Sequence, residues 1–163
     1  MPGDDRPRTT LAVLSTVTAQ ILRGEAIRQY GAICVRDPHD SVEILLITSR
    51  DSGRWVIPKG WGMATKKPHH VAAQEAWEEA GVIGKVKKKP IGFYTCIKRL
   101  RNGDLVPALV QVHLLTVLEN SQKFPERGQR IQRWFSPHDA ASMVDEPELG
   151  SLLKRASLFV KQA

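Results

Sequence analysis

The chain has 163 residues, a length that suits one domain with a single core. Its residues are 42% hydrophobic and 25% charged, and no apolar run approaches the roughly 20 residues of a bilayer span, which excludes a disordered chain and a helical membrane protein. Twenty-four Lys and Arg against 17 Asp and Glu leave a formal charge of +7, so the surface field favours an anionic partner.

In chain order, residues 1–25 read as an N-terminal extension and 26–163 as the domain. Arg6 and Arg8 precede the moderately apolar stretch Leu11 to Leu22, but Thr16, Thr18 and Gln20 interrupt it, so a cytoplasmic protein is expected rather than a secreted one. Tyr30 to Val35 and Val42 to Thr48 are expected to pair as strands across the turn-rich Asp37-Pro38-His39-Asp40. A short apolar piece, Trp55-Val56-Ile57, ends at Pro58-Lys59-Gly60, and the residues from Gly62 to Lys67 read as a loop. Pro68 to Ala80 favour a helix, with Pro at its first position and Gly81 where a C-terminal cap belongs.

Ile91 to Ile97 and Ala108 to Leu118 are strand candidates joined through the Asn102-Gly103 turn signal. In the second, apolar Ala108, Val110, Val112 and Leu114 alternate with Gln111 and His113, which suggests one buried face. Ile131 to Phe135 forms a further strand. Ser136-Pro137-His138-Asp139 resembles a capping box, and Pro147 opens a last helix whose Leu149, Leu152, Leu153, Ala156, Phe159 and Val160 recur at helical spacing. Helices and strands do not alternate strictly, so the class is α+β with a mixed sheet. Cys34 and Cys96, too few for a disulfide framework, are expected as buried free thiols.

The chemistry concentrates in Gln74-Glu75-Ala76-Trp77-Glu78-Glu79-Ala80-Gly81. On a helix Glu75, Glu78 and Glu79 gather on one face, while Ala72, Ala73, Ala76 and Ala80 supply a packing face. Glu78 and Glu79 lie in the final turn, where the helix dipole opposes anions, and three neighbouring carboxylates repel each other. A divalent cation relieves both penalties, and an all-oxygen donor set of this kind suits Mg²⁺ acting on a phosphorylated substrate.

The segment resembles the Nudix box, a glycine, an acid six residues on, then Arg-Glu-apolar-x-Glu-Glu-x-Gly-apolar. Here the frame runs Gly60, Lys66, Gln74, Glu75, Ala76, Glu78, Glu79, Gly81 and Val82, with the spacing intact. Lys66 replaces the first acid and Gln74 the arginine, which leaves Glu75 an amide neighbour instead of a charged one. Arg54 to Gly60 is similar to the entry strand of the branch that cleaves diadenosine polyphosphates and diphosphoinositol polyphosphates. The resemblance implies an α/β/α sandwich with a mixed sheet, the box helix over about 68–80 and C-terminal helices.

It further implies that the Gly60 carbonyl with Glu75, Glu78 and Glu79 holds Mg²⁺ or Mn²⁺, and that a water attacks phosphorus. A further acid ahead of the last strand is implied as base or ligand; Glu126 fits that place, and Glu119 competes with it. Arg50, Arg54, Lys59, Lys66 and Lys67 surround the box, the first four expected on the substrate phosphates, while Lys98, Arg99 and Arg101 near the Asn-Gly turn read either as a further grip on a polyphosphate or as a solvated basic surface. Trp61 and Tyr94 are candidates either for stacking on a base or for core and lid packing. His69, His70 and His113 lack zinc spacing and are assigned to surface or packing. The partner expected is a phosphorylated small molecule, not nucleic acid or membrane, with the chain a monomer or homodimer. An alternative is a catalytically weakened Nudix-fold module that binds or senses nucleotide or RNA.

Overall fold

The computed structural model describes residues 26–160 together with Ala19, Arg23 and Gly24. The rest of the expected extension, including most of Leu11 to Leu22, and residues 161–163 lie outside the described residues. Among the described residues no helix is long and apolar enough to cross a membrane.

The helix α1 spans Pro68–Ala80, as its proline start and glycine stop require. Gly81 takes φ +70°, the left-handed geometry of a C-terminal cap, and its N–H donates to the carbonyls of Ala76 and Trp77. The loop that follows the long central strand closes over this end. Ser121 N–H donates to Gly81 O at 2.8 Å, Glu126 N–H to Glu78 O at 3.0 Å and Gln132 Nε2 to Ala80 O at 2.9 Å. A Cβ on Gly81 would strike the Phe124 ring and Ser121 O. Gly81→Ala is therefore expected to destabilise the protein by about 2–4 kcal/mol, from left-handed strain plus overpacking, and to lower the melting temperature.

Among the described residues eight strands form one mixed sheet. β1 (Ile27–Arg36) runs parallel to β7 (Leu105–Asn120) over nine residue pairs, Ile27↔Ala108 to Val35↔Thr116. β2 (Glu43–Thr48) pairs antiparallel with the far end of β1 and also with β8 (Gln132–Phe135). β5 (Val82–Val86) and β6 (Gly92–Arg99) pair antiparallel with successive stretches of β7. β3 (Trp55–Val56) pairs with Ile47 and Thr48 of β2, and β4 (Lys59–Trp61) with Gln29 to Gly31 of β1, so the chain crosses from one strand to the other at Ile57-Pro58.

The sheet has a core on each face, because Ala32 to Val35 and Ile44 to Ile47 are buried on both sides of their strands. One face packs Ala72, Ala76 and Ala80 of α1 against Ala32, Cys34, Leu45 and Ile47. The other packs α2 (Pro137–Met143), α3 (Pro147–Lys154) and α4 (Ala156–Val160) through Ala140, Leu149, Leu152, Leu153 and Ala156. The architecture is the expected helix–sheet–helix sandwich of α+β class. Cys34 and Cys96 are buried free thiols, and burial pushes Cys34 up to about 12.

Four expectations need correction. The last helix is two, broken at Arg155, where ψ is 0° and the α3 register ends. His113 is not on an open face: it is fully buried, with Nδ1 2.9 Å from Lys87 O and Nε2 2.9 Å from the Gln111 amide, so packing is its role. The acid and packing faces of α1 are not separate, because Glu79 is buried beside Ala72, Ala76 and Ala80. At Ser136 only half of a capping box forms: the hydroxyl accepts from Asp139 N–H at 3.2 Å.

Candidate active site

A cavity of about 460 Å³ opens where β4, α1, the turn after β2 and the loop before β8 meet. Each element delivers its residues for a local reason. Glu75 and Glu79 stand one turn apart on α1, Gly60 lies on β4, and Glu126 arrives because its own N–H caps the α1 carbonyl of Glu78. All four residues line the cavity, with Arg50, Arg54, Lys59, Lys98, Arg99, Trp61 and Arg130 around them. A side chain at position 60 would collide with the Glu75 carboxylate, so glycine is what lets the helix acid lie against β4.

The acids are held by a few contacts. The backbone N–H of Lys59 donates to Glu79 Oε2 at 3.3 Å. Arg130 Nη2 lies 3.5 Å from Glu79 Oε1 and 3.4 Å from Glu126 Oε1, while Nη1 donates to Thr48 O at 3.1 Å. Arg50 approaches the same Glu126 oxygen at 3.3 Å. Burial, followed by the charges of Glu78 and Glu126, raises Glu75 from the ordinary carboxylate range to about 7. Glu79 also rises to about 7, chiefly through burial, with Glu75 and Glu126 adding to the shift and Arg130 and the Lys59 N–H opposing it.

Glu78 is not among the cavity-lining residues. Its Oε1 accepts from Gln74 Nε2 at 2.9 Å, and Gln74 Oε1 accepts from Lys66 Nζ at 3.1 Å. The two residues that depart from the box pattern thus form one chain, in which an amide relays the Lys66 charge to Glu78. Lys66 is directed to Gln74 rather than into the cavity. Arg54 lines the cavity but is partly committed elsewhere, with Nη1 2.6 Å from the mostly buried Glu146 and 3.7 Å from Asp145. Arg54→Ala would strand that carboxylate and is expected to cost about 2 kcal/mol, read by chemical denaturation; full stability in the variant would show the pair to be idle.

Glu119 lies exposed on β7, paired with Ile83 and away from the cavity, which leaves Glu126 as the loop acid at the site. Tyr94 is buried in the core, whereas Trp61 is 45% exposed at the cavity. Arg130 was not legible as a site residue; its signal in the sequence is the spacing of four from Glu126, which ion pairs favour.

Among the described residues no group of three or more His, Cys, Asp or Glu is gathered closely enough to hold a metal ion by itself. The donor chemistry nonetheless fits a hard divalent ion. Glu75, Glu79 and Glu126 are all-oxygen donors in one cavity, two of them costly to ionise without a cation, and Mg²⁺ takes few protein ligands and completes its shell with water and phosphate.

A mixed sheet between helical layers brings Glu75 and Glu79 of α1 to a cavity whose other charged lining residues are largely basic, an arrangement suited to a phosphorylated ligand. The sequence model of the NUDIX domain family matches residues 27–156, and the chain belongs to that family. It is 26% identical over 117 residues to human diphosphoinositol polyphosphate phosphohydrolase 3-beta, covering 72% of this chain and 68% of the relative. It is 26% identical over 135 residues to rat diphosphoinositol polyphosphate phosphohydrolase 2, covering 80% and 71%. Its fold is similar to that of a Caenorhabditis elegans Ap4A hydrolase binary complex, with a TM-score of 0.63 at 22% identity over 85% of this chain and 100% of the other.

Proposed function

We propose that this chain is a divalent-metal-dependent pyrophosphohydrolase that cleaves a phosphoanhydride bond in a highly phosphorylated small molecule, a dinucleoside polyphosphate or a diphosphoinositol polyphosphate. The observation that carries this reading is the convergence of Glu75, Glu79 and Glu126 in a cavity whose remaining charged lining is largely cationic. The names of the human and rat relatives support the diphosphoinositol option, and the charge of +7 supports any long polyphosphate.

In this mechanism Glu75, Glu79 and the Gly60 carbonyl would hold Mg²⁺ or Mn²⁺, and Glu78, outside the cavity lining and tied to Gln74 through Oε1, would join them through Oε2. When bound, the ion makes water a stronger nucleophile and neutralises charge developing on the bridging oxygen. Glu126, whose Oε1 faces Arg50 and Arg130, has Oε2 to accept the proton of the attacking water. Arg50, Lys59 and Lys98 bind the phosphates, and Arg54 joins them with whatever reach its Glu146 contact leaves. Lys66, held by Gln74 outside the cavity, acts by orienting Glu78.

The test is product analysis of diadenosine tetraphosphate, diphosphoinositol pentakisphosphate and a sugar nucleotide with Mg²⁺, Mn²⁺ and EDTA. Metal-dependent release of phosphate or nucleotide from the first two, in preference to the third, is expected. The Lys66–Gln74–Glu78 chain, which engages one box acid, favours the second reading, a binding or sensing module; tight binding of these compounds without turnover would establish it and reject the first.

A further inference from the structure

The cavity is not cationic throughout. At one side Trp61 on β4 presents an indole that is 45% exposed, and Ile97 and Leu105, 37% and 39% exposed, line the same cavity. Lys98 Nζ lies 4.9 Å from the Trp61 ring centroid, and Lys59 Nζ donates to Gln29 Oε1 at 3.4 Å. Among the described residues neither lysine lies within ion-pair distance of a carboxylate, though the charges of Glu79 and Asp51 act on Lys98. Two ammonium groups outside any ion pair, one of them over a partly exposed aromatic ring, in the cavity that holds the acids, match a ligand with a flat ring at one end and phosphates next to it.

This geometry separates the two substrate options. An inositol carrying phosphate on every carbon has no flat apolar face, so an exposed indole offers it nothing and withdraws part of the wall from charge pairing. A purine covers the indole by stacking, while Lys98 and Lys59 reach the phosphates that follow. We propose that Trp61 is the seat of a nucleobase and that Lys98 beside it takes the adjoining phosphate, so that the cavity selects nucleoside polyphosphates over diphosphoinositol polyphosphates. The inference rests on the hydrolase reading for the bond cleaved, but not for the binding itself.

Two measurements test it. The first titrates wild type, Trp61→Ala and Trp61→Phe with ATP and with inorganic triphosphate in EDTA, by calorimetry. Wild type is expected to bind ATP more tightly than triphosphate. Trp61→Ala weakens ATP about tenfold relative to triphosphate, and Trp61→Phe recovers most of the difference, since a ring is kept. Equal losses for both ligands, no loss, or a wild type that prefers triphosphate or binds neither overturns the proposal. The second compares the Michaelis constants of diadenosine tetraphosphate and diphosphoinositol pentakisphosphate. Trp61→Ala is expected to raise the first about tenfold relative to the second, and a shift of both together overturns the proposal. Base-dependent binding without turnover of either compound would reject the hydrolase reading alone.

Discussion

Glu79→Gln is expected to lower kcat/KM by at least about a hundredfold with Mg²⁺, while the protein stays folded. The substitution keeps the shape of a buried side chain and its acceptor toward the Lys59 N–H, but removes a charged oxygen from the proposed metal site. Arg130 is not left without a partner, because Glu126 remains 3.4 Å from the same nitrogen. Glu75→Gln is expected to act in the same direction. Unchanged turnover in both variants at limiting Mg²⁺ would remove α1 from the mechanism.

The same variant reports on the electrostatics through pH. Glu79 and Glu75 are raised to about 7 in the folded protein, whereas in the unfolded chain they titrate in the ordinary carboxylate range. Between those values the folded state holds more protons than the unfolded state, so their contribution to stability falls as pH rises through about 7. In EDTA, the melting temperature of Glu79→Gln should therefore be close to wild type at pH 5 and should exceed it by a margin that grows to about pH 7 and levels off above it. Mg²⁺ at pH 8 should close that margin by stabilising the wild type more than the variant. A margin that does not widen with pH would show that Glu79 is ionised without penalty.

The box helix was legible in full because its ends are chemical events: Pro68 starts it, and Gly81 stops it by adopting a conformation other residues resist. The strands β1, β2, β6, β7 and β8 were legible from runs and alternation. β4 was not, since Pro58-Lys59-Gly60 reads as a turn and its three residues become a strand only by pairing with Gln29 to Gly31. β5 escaped for a similar reason: Gly84 and Lys85 break its apolar pattern, and the ladder shifts between Ile83 and Gly84. At the site, helical spacing grouped Glu75 with Glu79 and the family resemblance pointed to Glu126, and all three line the cavity, but periodicity carried no sign that Glu79 would share the buried face of α1. Nor does a sequence reveal that Gln74 would satisfy Glu78 and Lys66 at once, because both contacts depend on where the loop before α1 returns.

Gly60→Ala is expected to separate activity from folding most cleanly. Gly60 is not among the residues with positive φ, so alanine brings no backbone strain, and an antiparallel strand pairing with Tyr30 tolerates a methyl group. The obstacle is the Glu75 carboxylate, which occupies the space a Cβ needs. That carboxylate is the end of a flexible side chain, and the cost of moving it to another rotamer is small on the scale of folding. The proposed metal site has no such freedom, because one displaced ligand changes both charge and geometry where the ion must sit. The variant should melt within a few degrees of wild type, bind Mn²⁺ at least about tenfold more weakly by paramagnetic resonance and lose about a hundredfold in kcat/KM. Loss of folding would mean that β4 is held against α1 more rigidly than the Glu75 contact implies. Full activity with unaltered Mn²⁺ affinity would show that the packing of Glu75 on Gly60 has no part in catalysis, and would leave Glu79 and Glu126 as the acids that matter.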